Sequence, residues 1–258
     1  MSRDARLARY QEDYARDYGY EARLVEARGD FTARWLAAVA PARVVEVGCG
    51  SSLLFDRVAP ELVERWVVAE PAARFAEVAR ARSAEAPQLR VVQDYFERAE
   101  AEIAAALEGP ADVVIIDSLL HEIPDAQSML GAARRLLAPA GRLYVSVPNA
   151  YSLHRRLARA MGLIEDEHAM SQRNVALAQA RVYDAASLRE EVCGAGFEVL
   201  RAGGHTLKPF TNAQMEGVEE LLGDAVLRGL ASLGEELPEL AAEIFVEARV
   251  SDDPVSTH

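Results

Sequence analysis

The apolar positions of this chain change period near residue 41. Before it they recur every three to four residues: Tyr10, Tyr14 and Tyr18, then Leu24 and Val25, then Phe31, Trp35, Leu36 and Val39. That spacing predicts helices burying one stripe. Pro41 ends the pattern. Short continuous β-branched runs come next, at 43–47, 65–69, 89–92, 112–116 and 142–147. Between them the period returns to that of helices, over 71–83, 98–108 and 125–137, with Pro71 suited to a first helical position. Strands apolar on both faces and alternating with helices predict a parallel sheet covered on both sides. Right-handed crossovers then bring all the strand carboxyl ends to one edge, where ligands bind beside the first strand. After Asn149 the rhythm breaks: 151–180 reads as an inserted helix and loop, and 197–200 and 242–246 add two strands with helices between them. The expectation is an α/β fold with a seven-stranded, mostly parallel sheet and helices on both faces. A helical cap (1–40) precedes the main domain (41–250), which carries insertions at about 151–183 and 209–240, and a flexible tail (251–258) ends the chain.

Charge narrows the partners. Against 28 Lys+Arg stand 41 Asp+Glu, a formal net charge of −13, so the chain has no long-range attraction for nucleic acid or an anionic membrane. Cys49 and Cys193 form no metal-ligand or C-x-x-C pattern, and no metal site is expected. The charged start Met1-Ser2-Arg3-Asp4 lacks the apolar run of a signal peptide, and no apolar run is long enough to span a bilayer. A cytoplasmic location is the expectation.

The loop Glu46-Val47-Gly48-Cys49-Gly50-Ser51-Ser52 closes the first strand. Glycines at 48 and 50 permit a tight turn and close approach of a ligand to the backbone. A dinucleotide fingerprint needs a third glycine where Leu53 stands, and Glu46 would meet a pyrophosphate with like charge, which disfavours a nicotinamide-dependent oxidoreductase. Glu70, ending the second strand, suits a ribose diol. Together these residues ask for a phosphate-free nucleoside bearing positive charge, as S-adenosylmethionine is; the plain alternative is a glycine turn beside two surface acids.

Val-Val-Glu-Val-Gly-Cys-Gly (44–50) and Val-Ala-Glu-Pro (68–71) resemble the class I S-adenosylmethionine-dependent methyltransferases, which have a Rossmann-like sheet. The stretches at 118–125, 141–150, 152–155 and 207–215 resemble one bacterial branch of them. The resemblance implies that Glu46, Gly48, Cys49 and Gly50 lie against the methionine part of the cofactor and Glu70 on its ribose. It also implies Asp94 on the adenine amino group, Tyr95 or Phe96 on the ring, and Asp117 with Ser118 closing the other side. Related chains often carry a histidine shortly before an Arg-Val-Tyr like that at 181–183; here Ala178-Gln179-Ala180 stand there.

Acceptor chemistry belongs at the carboxyl edge of strands four and five and in the insertions. His121 is placed to orient or deprotonate a hydroxyl, with a structural histidine as the alternative; His154 is a second candidate, with Arg155 paired or facing solvent. Asn149, Arg181, Tyr183, His205, Lys208 and Asn212 are candidate acceptor contacts, and Lys208, His205 and Arg181 at one mouth would favour an anionic acceptor. Tyr20 or Arg23 would reach the methionine carboxylate, with the N-terminal tyrosines as a roof. Strand four ends in Asp117-Ser118-Leu119-Leu120, without the Asn/Asp-Pro-Pro-Tyr/Phe of enzymes that methylate amino nitrogen in nucleic acids and proteins. Oxygen of a small-molecule, sugar-like, secondary-metabolite or peptide acceptor is therefore the leading expectation. Nitrogen or carbon methylation, or a cofactor-binding module without catalysis, are the alternatives; oligomeric state is not legible.

Overall fold

The structure is a computed structural model, and it describes residues 19–171, 174–175 and 179–252. Tyr10, Tyr14 and Tyr18 and most of the tail lie outside the described residues. Ser251, expected to begin a flexible tail, still donates its N–H to Gly196 O at 2.9 Å.

Helix α1 (Glu21–Val39) leads into strand β1 (Arg43–Val47). Then come β2 (Arg65–Ala69), α2 (Ala73–Ser83), β3 (Leu89–Val92), α3 (Glu100–Leu107), β4 (Ala111–Ile116), α4 (Ala126–Leu136) and β5 (Leu137–Pro148). The remainder is α5 (Leu153–Ala160), α6 (Ala185–Gly194), β6 (Phe197–His205), α7 (Asn212–Leu222), α8 (Asp224–Glu236) and β7 (Glu243–Val250). One seven-stranded sheet has the order β3-β2-β1-β4-β5-β7-β6. All pairings are parallel except those of β7, which runs antiparallel to both β5 and β6.

Alternate residues of each central strand feed two apolar layers, as the period of a strand dictates. Val45 and Val47 pack with Ile103 and Leu107 of α3, Met129 and Leu130 of α4, and Leu188 and Val192 of α6. Val44 packs on the opposite face with Trp66, with Phe31, Trp35 and Leu36 of α1, and with Phe75 and Ala79 of α2. A small third cluster joins Tyr20 and Leu24 to Met215 and ties the cap helix to α7. Local capping starts three helices: Asp125 caps α4, and Asp184 and Thr211 form capping boxes at α6 and α7. Among the described residues no helix is long and apolar enough to cross a membrane.

Candidate active site

A cavity of about 1240 Å³ opens along the carboxyl edge of β1, β2, β4 and β5. It is lined by the β1 loop, Glu70, the Tyr95–Phe96 turn, the Asp117–Asp125 segment, α1, the 151–183 insertion and the Lys208–Ala213 loop.

The loop after β1 needs its glycines. Gly48 sits at φ +73° and Gly50 at φ +54°, a region L side chains rarely adopt. A Cβ on Gly48 would stand 3.0 Å from Leu119 Cδ2, whereas at Gly50 nothing lies within 4 Å. The loop is thus closed towards β4 and open above its second glycine. Glu70 fixes its edge: one carboxylate oxygen accepts from Ala72 N at 2.8 Å and the other from Gly50 N at 3.3 Å, with Cys49 Sγ 3.8 Å away. Burial raises the Glu70 carboxyl above its ordinary range, and burial raises the Cys49 thiol as well.

Glu46 differs from its sequence expectation. It shares a sheet face with Val44, and its carboxylate is turned onto protein groups, accepting from Trp66 Nε1 at 2.9 Å and from Leu54 N at 3.0 Å. Burial pushes it up to about 7 against the pull of those two hydrogen bonds. Glu46 lines the cavity but acts first as the post on which the loop and the following turn are hung.

The floor beyond the loop is polar. Asp117 accepts from Thr32 Oγ1 at 3.1 Å and from the Ser146 hydroxyl, and burial raises its carboxyl. Ser118 holds a left-handed backbone (φ +50°), with its N–H donating to Ser146 Oγ at 2.9 Å. Arg28 of α1 reaches Glu243, the first residue of β7.

His121 and His154 both line the cavity. His121 Nε2 is 3.8 Å from Glu122 Oε1, and Nδ1 is enclosed without a hydrogen-bond partner. Burial, with Arg28 adding, lowers its pKa to about 3; burial, with Lys208 and Arg155 adding, does the same for His154. Both imidazoles are neutral at neutral pH. The insertion folds back on this wall, because Ala180 N and Arg181 N donate to His121 O at 2.9 and 3.2 Å. Arg155 donates Nε to Glu167 O at 2.7 Å and so shapes the inserted loop.

Of the expected contacts, Asp94, Tyr183 and His205 lie outside the cavity lining, whereas Asn149, Arg181, Lys208 and Asn212 belong to it. Asp94 is exposed and does not line the cavity; its carboxylate caps its own turn, accepting from Tyr95 N at 2.7 Å. Tyr183 is buried in the core beside α6, donating to Glu191 Oε2 at 3.2 Å; Arg181 lines the cavity with its guanidinium donating to Glu191 and to Pro124 O. His205 is buried outside the lining, stacked on Phe31 at 4.9 Å. Of the three cations expected to favour an anionic acceptor, Arg181 and Lys208 both line the cavity and His205 does not. Asn149 lines the cavity but its amide is engaged, donating to Ala241 O at 3.0 Å and accepting from Tyr151 N at 2.9 Å. Lys208 Nζ donates to Asn212 Oδ1 at 2.7 Å, and Asn212 Nδ2 to Glu21 Oε2 at 3.0 Å, tying this loop to α1. Tyr20 packs against Met215 and Arg23 pairs with Glu219. The α1 residues that do line the cavity are Glu21, Leu24, Val25, Arg28 and Gly29, and the cation among them, Arg28, is one the sequence reading missed. It shares the stripe Glu21, Leu24, Arg28 and Phe31, so helical spacing was the signal that could have found it.

The glycine cradle and the Glu70 edge lie at the strand edge where open α/β sheets bind ligands. The methyltransferase-domain family matches residues 14–202, and the chain belongs to that family. It has the fold of the class I S-adenosylmethionine-dependent methyltransferases, whose cofactor is S-adenosylmethionine. Among curated proteins it is similar to the ubiquinone biosynthesis O-methyltransferases of Xanthomonas oryzae pv. oryzae (33% identical over 111 residues) and Xanthomonas axonopodis pv. citri (34% over 110 residues). The match takes in 43% of this chain and 45% of the Xanthomonas oryzae protein, so the chain spans less than half the length of the curated relatives it matches. Among solved structures, the plantazolicin methyltransferase BamL superposes with a TM-score of 0.60 at 13% identity, covering 96% of each chain. The magnesium protoporphyrin IX methyltransferase of Synechocystis PCC 6803 gives 0.52 at 16% identity, covering 86% of this chain and 82% of that one. These likenesses are of fold.

Proposed function

We propose that the chain transfers a methyl group to an oxygen, hydroxyl or carboxylate, of a small-molecule, sugar-like, secondary-metabolite or peptide acceptor. One observation carries the reading: a single cavity holds the Gly48–Gly50 cradle with Glu70 at one end and the neutral imidazoles of His121 and His154 at the other. The similarity to the ubiquinone biosynthesis O-methyltransferases of Xanthomonas supports oxygen as the receiving atom.

The residues fit the cofactor. The space above Gly50 admits a ligand against the backbone, and Glu70, pre-aligned by Gly50 N and Ala72 N, is ready to accept from a ribose diol. Gly48 and Cys49 would flank the methionine part and Tyr95 or Phe96 the adenine. Asp94 would turn inward from the rim to take the adenine amino group, while Asp117 and Ser118 close the far side. When bound, S-adenosylmethionine supplies a methyl group already activated on a sulfonium.

The chain's remaining task is to align a hydroxyl and receive its proton. A hydroxyl oxygen that gains a methyl group while keeping its hydrogen becomes a protonated ether, a far stronger acid than an imidazolium. Even a histidine with a pKa near 3 can therefore take that proton, and its neutrality leaves a nitrogen lone pair open to orient the hydroxyl beforehand.

The test is turnover of radiolabelled methyl donor over a panel of hydroxyl and carboxylate acceptors, alongside calorimetry with S-adenosylhomocysteine. His121→Ala or His154→Ala should lower turnover roughly 10²- to 10⁴-fold while leaving S-adenosylhomocysteine affinity unchanged. Tight binding with no turnover on any acceptor would instead mark a binding module.

A further inference from the structure

Of the carboxylates that line the cavity, four stand at or next to strand ends: Glu46, Glu70, Asp117 and Glu243. In three of them each oxygen already accepts a hydrogen bond from the protein: Glu46, Glu70 and Asp117. Glu243 is the exception. Its Oε1 accepts from Arg28 and, at 3.4 Å, from Ser118 Oγ, while Oε2 is enclosed and has no hydrogen-bond partner. A carboxylate has about four lone-pair sites, and buried polar atoms are nearly always paired. Behind Oε2, at 3.8 Å, stands His205 Nε2, also buried and also without a hydrogen-bond partner.

Position says which half of the cavity this is. Glu243 is in register with Pro148, the last residue of β5, and with His205, the last of β6. Strands β4 and β5 separate it from β1 and the glycine loop, so it floors the acceptor half. The rotation about the terminal carboxylate bond of glutamate is soft, so a small turn presents the unused oxygen to the cavity.

We propose that the Glu243 carboxylate recognises the methyl acceptor, taking a hydrogen bond from a donor group on an uncharged or cationic molecule. An acceptor that brought a carboxylate to this end would face Glu243 and Asp117, and the cation beside them, Arg28, is already paired with Glu243. That acceptor is disfavoured. That the bound molecule is a methyl acceptor rests on the methyl-transfer reading; the donor-binding role of Glu243 does not.

Saturation-transfer NMR on the full chain, with and without S-adenosylhomocysteine, tests this with benzylamine, phenol and benzoate as probes. Benzylamine and phenol should bind about tenfold better than benzoate, as one charge-assisted hydrogen bond allows. Glu243→Gln should erase most of that contrast while leaving S-adenosylhomocysteine affinity unchanged. Because the substitution also loosens Arg28, a second readout uses the unaltered chain: the carbon-13 shift of the Glu243 carboxyl should move with benzylamine and not with benzoate. Benzoate binding as well as the other two, or a contrast that survives Glu243→Gln, would overturn the proposal. Probe contrast without any S-adenosylhomocysteine binding would sustain the Glu243 assignment and sink the methyl-transfer reading.

Discussion

Removing the Glu70 carboxylate offers the sharpest check on the cofactor end of the cavity. Its two oxygens are held by Ala72 N at 2.8 Å and Gly50 N at 3.3 Å, so it is oriented before any ligand arrives. A hydrogen bond to a charged group contributes about 1.5–3 kcal/mol, and Glu70→Ala removes the charged partner of a ribose diol. At about 1.4 kcal/mol per decade, S-adenosylhomocysteine should bind roughly 10- to 150-fold more weakly. Glu70→Gln keeps one oxygen for Ala72 N and should lose less. The change also strips acceptors from two backbone N–H groups, about 1–3 kcal/mol of stability if water does not replace them. Calorimetric titration must therefore be paired with a melting curve. Because burial raises this carboxyl, wild-type affinity should strengthen as pH rises and the group ionises. A Glu70→Ala protein that melts normally and binds within twofold of wild type would refute the ribose assignment.

Gly50→Ala meets no neighbour within 4 Å but forces a left-handed alanine, so it should cost only about 1–2 kcal/mol in melting experiments yet abolish cofactor binding by filling the cradle. Glu46→Ala should destabilise the fold by about 2–4 kcal/mol in urea titration, since Trp66 Nε1 and Leu54 N both lose their acceptor. The pKa of His121 is depressed to about 3, so its contribution to stability is present above the unfolded value near 6.5 and is lost as pH falls through the window down to 3. His121→Leu should remove that dependence, gaining about 2 kcal/mol relative to wild type between pH 8 and pH 5. Chemical denaturation at the two pH values measures it, and parallel pH dependences would count against the buried neutral imidazole.

What the sequence shows of this fold depends on how local each cause is. Strands β1, β2 and β3 carry apolar residues on both faces, and their spans match the runs at 43–47, 65–69 and 89–92. Strand β5 begins five residues earlier than its pattern suggests, because Leu137-Ala-Pro-Ala-Gly has no strand signature and joins β4 only through an irregular register at Ala111. Strand β6 runs on through Gly203 and Gly204, where a Cβ would come within 2.8 Å of Phe245 Cε1 and 2.6 Å of Ala241 Cβ. Glycine there reads locally as a loop; only the packed neighbour shows why it is a strand. At the site, the glycine loop and Glu70 were visible as motif and spacing. That Glu46 would turn to Trp66, and that Tyr183 would sink beneath α6, depends on which face the side chains take once the layers are packed. The pairing of Arg28 with Glu243 carries no local signal at all, since the two meet across 215 residues.

That pairing also bears on how the protein comes into being. Trp35 of the same helix donates to Glu247 at 3.0 Å, so the cap is clasped by the final strand at two points. On the ribosome, Arg28 is made 215 residues before Glu243, so α1 must wait for that stretch to be translated before its charged partner emerges. A nascent polypeptide that stopped short of β7 would leave both Arg28 and Trp35 without these acceptors.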